Sequence, residues 1–247
     1  MIAFRPVAIA LFMGLFAAAR PAAAQVVFDF ANLKNNNNVQ SGFLPTNGFF
    51  CTGGDRCSSD LNNGMFGGGL NYVSGGISVI ATGFFTSGNT TSQVTAVQDH
   101  DNAYNGVLYG LTTKGAGMGV YSRLNTPSDD NITAGEKLKL SFLQAVSIGS
   151  IGLRSEGHNT TGWTRNATFQ YSTDDVNWTT ALLPINSGKF DLNLTSSDFY
   201  FRYGGTSGDQ FYLSSATVVP EPSTYMLMAA GLAGLGFAAR RRQNARA

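Results

Sequence analysis

Strict apolar–polar alternation is the feature that most constrains how this chain folds. In Lys137-Leu138-Lys139-Leu140-Ser141-Phe142 every second residue is apolar, which is the period of a β-strand with one buried face. A helix repeating every 3.6 residues would scatter Leu138, Leu140 and Phe142 around its circumference. Val146-Ser147-Ile148-Gly149-Ser150-Ile151-Gly152-Leu153 continues in the same manner, with β-branched residues separated by small ones. Shorter runs of this kind occur at Gly76 to Thr82, Thr168 to Ser172, Trp178 to Leu182, Asp198 to Tyr203 and Gln210 to Leu213. Thr173-Asp174-Asp175-Val176-Asn177 is rich in turn formers, so the strands on either side of it are expected to form a hairpin. Thirty glycines beside only 13% charged residues suit short strands joined by turns better than helices, which favour Ala, Leu, Glu and Lys. The expected fold is all-β, an antiparallel β-sandwich of jelly-roll type.

The first third departs from this pattern. Asn35-Asn36-Asn37-Asn38 and Gly64-Met65-Phe66-Gly67-Gly68-Gly69 are costly to order, and long loops are expected there, with edge strands at Val26 to Phe30 and Tyr72-Val73.

Both ends read as processing segments. Arg5, the apolar run Val7 to Ala19 and the small residues Ala22-Ala23-Ala24 have the order of a secretory signal, with cleavage between Ala24 and Gln25. The apolar run is shorter than the roughly 20 residues of a membrane span. At the other end, Pro220-Glu221-Pro222 is followed by an uncharged stretch to Ala239 and then by Arg240-Arg241-Arg242. Proline fixes φ and holds the preceding residue extended. The apolar stretch, about 17 residues from Ser223, is a marginal span that suits a transient anchor. The arginines act as a stop-transfer cluster that stays in the cytoplasm and leaves the large domain outside. This divides the chain into 1–24, 25–218 and 219–247.

The order Pro-Glu-Pro, short apolar helix, arginine cluster closely resembles the PEP-CTERM sorting signal of Gram-negative bacteria that make exopolysaccharide. The resemblance covers residues 219–247. It implies recognition and cleavage near Pro220-Glu221-Pro222 by exosortase, a membrane cysteine transpeptidase. It also implies prior passage through the Sec export machinery, a temporary stay in the inner membrane, and delivery to the cell surface or medium. Tyr171 to Trp178 is similar to the Ser-x-Asp-Gly-x-x-Trp hairpin of carbohydrate-binding jelly rolls, with Asp175 in place of the glycine.

Chemistry is sparse. The net charge of +1 gives no footprint for nucleic acid. Cys51 and Cys57 lie in one Gly/Asp/Ser-rich loop, and export to an oxidising compartment favours a disulfide between them. Asp129, Asp130 and Glu136 could supply oxygen ligands to calcium, although acids in a loop are more often solvated; no other cofactor is expected. Asp99-His100-Asp101 reads as a polar turn, because a strand would place the acids opposite the histidine, and His158 reads as a loop residue. Trp163, Trp178, Tyr200 and Tyr203 are candidates for stacking on sugar rings, with a core role favoured for Trp178. No Gly-x-Ser-x-Gly elbow or His-Glu-x-x-His motif occurs. The leading expectation is a non-enzymatic surface or matrix protein associated with exopolysaccharide. The alternatives are a carbohydrate-binding module and a secreted hydrolase.

Overall fold

A computed structural model describes residues 24–36, 39–47, 56–58, 69–99, 103–104, 107–108, 115–123, 130–220 and 231–236. In chain order its strands are β1 (Val26–Phe28), β2 (Leu33–Asn36), β3 (Val39–Gly42), β4 (Arg56–Ser58), β5 (Leu70–Ser74), β6 (Ile77–Ser87), β7 (Thr90–Asp99), β8 (Ala103–Tyr104) and β9 (Val107–Leu108). They continue with β10 (Gly117–Tyr121), β11 (Glu136–Arg154), β12 (Thr168–Ser172), β13 (Thr179–Leu182), β14 (Lys189–Tyr203) and β15 (Tyr212–Pro220).

The two alternating runs that define the sequence are a single strand. β11 is 19 residues long and organises the fold. Along one side it pairs with β14, from Lys137↔Arg202 to Gly152↔Lys189. Its other side is shared: β6 takes Glu136 to Phe142, and β15 takes Val146 to Arg154. Between these halves an irregularity at Ser141/Val146 lets the strand turn a corner, the usual role of a β-bulge. β15, β10, β7, β6 and β11 thereby close into a five-strand barrel. β14, β12 and β13 extend the sheet from β11, while β1, β4 and β5 add to β15, β7 and β6.

The all-β expectation therefore holds, and β12 and β13 form the expected hairpin. The pairing gives one 11-stranded sheet that closes on itself, with the small pairs β2–β3 and β8–β9 apart from it, and not the two discrete facing sheets of a jelly roll. Closure follows from β11, whose one side serves two strands that would otherwise belong to different sheets.

The core follows from the alternation. Leu138, Leu140, Phe199, Phe201 and Phe211 are fully buried or nearly so. The first third contributes more than loops: Phe28, Phe30 and Tyr72 are buried and pack as an aromatic group with Phe43. Buried Gln98 pins this segment, donating from Nε2 to the Phe30 and Phe43 carbonyls at 2.8 and 2.9 Å. Its Oε1 accepts the Tyr72 hydroxyl at 2.9 Å. Burying an amide without such partners would cost roughly 1–3 kcal/mol.

Residues 231–236 are helical and exposed. Among the described residues no helix is long and apolar enough to cross a membrane. The signal segment before Ala24, and Cys51, Asp129, Glu221, Pro222 and Arg240 to Arg242, lie outside the described residues, as does the Cys57 side chain. Ala24 and Gln25 are exposed.

Candidate functional site

A row of four polar side chains, bordered by one aromatic ring, crosses five strands. Register places Phe84, Lys137, Arg202, Gln170 and Thr180 side by side on β6, β11, β14, β12 and β13. Lys137 Nζ lies 2.7 and 2.5 Å from the two oxygens of the Asp175 carboxylate and above the Phe84 and Tyr200 rings at 5.2 and 5.5 Å. Arg202 Nε donates to Gln170 Oε1 at 2.7 Å, and its guanidinium stacks 3.7 Å from the centre of the Trp178 ring. Burial draws the Arg202 pKa down and the Asp175 charge opposes this; the group remains a cation at any working pH. Lys139 repeats the arrangement one step along, 3.1 Å from Asp198 and 5.2 Å over Tyr200. Beside this row lies a cavity of about 540 Å³, lined by Glu136, Lys137, Gln170, Arg202, Tyr203 and Thr206 among others.

The hairpin that presents Trp178 is built by Asp174. Its carboxylate accepts the Val176 and Asn177 backbone N–H groups at 2.9 and 2.7 Å and the Asn177 side-chain amide at 2.6 Å. These bonds, the Asn177 side chain foremost, hold its pKa far below the usual carboxylate range. Asp175 takes a φ of +61°, so it occupies the left-handed position that glycine fills in the similar hairpins. Trp163 is no platform: it is buried, and its Nε1 donates to the Gln210 carbonyl at 3.0 Å. Trp178 is half-buried and capped by Arg202, so it belongs to the cavity face and not to the core.

At the other end of the fold, β15 runs through Pro220, which pairs with Val146. The sheet thus passes the boundary expected at residue 218 and enters the Pro-Glu-Pro sequence with no linker. Antiparallel to it lies β1, with Val26 opposite Val218, so the N-terminal strand sits beside the start of the tail. Residues 218–242 match the profile of the PEP-CTERM protein-sorting motif. The chain carries a PEP-CTERM sorting signal. It is accordingly an exported protein targeted to exosortase. No curated protein and no solved structure matches it.

Of the acids considered for calcium, two are described and they serve different places. Asp130 accepts the Tyr212 hydroxyl at 2.5 Å. Glu136 is buried and accepts the Thr133 N–H at 3.1 Å, closing its own turn. Among the described residues no three His, Cys, Asp or Glu groups are placed to hold a metal ion.

The sequence reading missed a histidine–carboxylate pair. His158 Nε2 is 2.8 Å from Asp99 Oδ2, and the Asp99 side chain is 6% exposed. The Tyr212 ring packs edge-on against His158, and Arg154 donates to the His158 carbonyl at 3.2 Å. Burial opposes the imidazolium, but the Asp99 hydrogen bond and the Asp99 and Asp130 charges outweigh it, and the pKa of His158 is raised. A raised folded-state pKa stabilises the fold fully below the unfolded value of about 6.5, and this contribution disappears as pH rises through the higher folded value. Replacing His158 with Asn, which tolerates its φ of +60°, is therefore expected to lower Tm more at pH 5.5 than at pH 8.5. Thermal melts of both proteins across that range check this, and an equal loss at the two pH values would contradict it.

Proposed function

We propose that this protein is a non-enzymatic component of the cell surface or extracellular matrix, released there by exosortase and associated with exopolysaccharide. The passage of β15 straight into the sorting motif supports reading the barrel as the cargo and the tail as its temporary anchor in the inner membrane. A structural role is supported over a hydrolytic one by the engagement of the acids beside the cavity. Glu136 is bound to the Thr133 N–H and Asp175 to Lys137, so neither stands as a free general acid or base.

A carbohydrate-binding role for the barrel is favoured by the cavity face itself. Polysaccharide sites combine flat apolar rings with fixed polar donors, and here Arg202 is held in place by Trp178 and Gln170. The likeness of the Ser172 to Trp178 hairpin to those of jelly-roll sugar binders supports the same role. Arg202→Gln is expected to weaken binding of the mature protein to its native exopolysaccharide by about tenfold, or ~1.4 kcal/mol. Co-sedimentation with purified polymer measures this. Failure of the wild-type protein to bind any polymer of its host would remove the association.

A further inference from the structure

Both processed ends leave the barrel at one corner. Val26 pairs with Val218, Pro220 with Val146, and Phe142 with Val79, so β15 stops where β11 bends and where β6 begins. The β5–β6 turn is tied to the same place: Ser74 Oγ donates to the Val27 carbonyl at 2.9 Å. A Cβ on Gly75 would lie 2.5 Å from Val26 Cγ2, so the turn and β1 are in close contact.

Three large apolar side chains stand in solvent at this corner. Leu143, in the bulge of β11, is 83% exposed, and Val27 and Val73 are 50% and 47% exposed. Neither the bulge Leu143-Gln144-Ala145 nor the turn Ser74-Gly75-Gly76 carries a charge. The face of the polar row instead carries ion pairs, Lys137–Asp175 and Lys139–Asp198.

Chain length decides what covers these residues. From Pro220 the apolar run begins at Tyr225, and five extended steps reach at most about 18 Å. While the tail is in the bilayer, the corner cannot be farther than that from its surface. We infer that the corner formed by Val27, Val73 and Leu143 docks on the bilayer interface while the uncleaved tail is inserted, so that the barrel stands on the membrane in one orientation. This rests on the reading of the tail as a temporary anchor. The polar row of Lys137, Arg202 and Gln170 lies elsewhere on the sheet, and cleavage releases the corner into water.

The test uses the uncleaved full chain, with its signal removed, reconstituted through its tail into vesicles of brominated phosphatidylcholine. Leu143→Trp provides an indole at the corner, and Val176→Trp, at a position 77% exposed in the β12–β13 turn, provides the control. Trp163 and Trp178 are common to both. Vesicle flotation with several-fold stronger quenching of the added Leu143→Trp emission than of the Val176→Trp emission is the expected result. Flotation with equal quenching overturns the docking and leaves the anchor reading standing. Failure to float overturns both. An unquenched Leu143→Trp indole in a chain that sediments as a dimer assigns the corner to a second copy and likewise overturns the proposal.

Discussion

Gly119→Val is expected to destabilise the barrel by about 3 kcal/mol or more. β10 joins β7 to β15 in the closed circuit, with Gly119 opposite Val97. The backbone of Asp130 and Asn131 crosses directly over this glycine, and a Cβ would lie 1.8 Å from the Asp130 carbonyl oxygen. No rotamer relieves that clash, because the obstacle is main chain. The crossing segment cannot withdraw either, since the Val120 N–H donates to the Asn131 carbonyl at 3.1 Å and the Ile132 N–H to the Phe211 carbonyl at 2.8 Å. Overpacking typically costs about 1–3 kcal/mol, and more where the obstacle cannot move aside, which is a large part of a typical total of ~5–15 kcal/mol. Gly149→Ala is the internal control, because the nearest atom to its Cβ would be 4.0 Å away; its effect is expected to stay within about 1 kcal/mol. Urea melts followed by circular dichroism measure both. A Gly119→Val protein with a near-normal midpoint would contradict the packing described.

The second large effect concerns release. Replacing Glu221 and Pro222 with alanine is expected to hold the protein in the membrane fraction in uncleaved form. A proline disfavours helical backbone in the residue before it, and an extended backbone is the shape a peptide-cleaving enzyme can engage. Pro220 is left in place because it is buried at the end of β15. Both substitutions lie beyond that strand, so the Tm of the barrel should be unchanged, which separates a sorting failure from misfolding. Fractionation of the native host followed by immunoblotting gives the readout, and normal release of the double variant would contradict the assignment.

Strand content was legible wherever one face of a strand meets solvent. Lys137 to Phe142 and Val146 to Leu153 alternate because Lys139, Ser141, Ser147 and Gly152 are partly exposed between buried apolar neighbours. β7 was not legible: Val94 to Asp99 are all buried, on both faces of the strand, and a strand covered on both faces loses the period of two. Closure of the barrel was hidden for another reason. It depends on β11 bending within Ser141/Val146, and the residues there, Phe142 to Ala145, carry no glycine or proline to announce it. The pairing of His158 with Asp99 joins residues far apart in sequence, and neither carries a local signature. Asp175 stands where the similar hairpins have glycine, and it adopts the left-handed backbone, with neighbouring Asp174 fixing the turn. Only the tail could be read directly, because its order of proline, apolar run and arginines acts as a linear signal and needs no fold.

The central claim is that the tail is an address removed after export, and intact mass of the released protein tests it most directly. The protein recovered from the medium or cell surface of its exosortase-bearing host is expected to begin at Gln25 and to end near Pro220-Glu221-Pro222, without Arg240 to Arg242. Recovery of a released chain that still carries those arginines would contradict it.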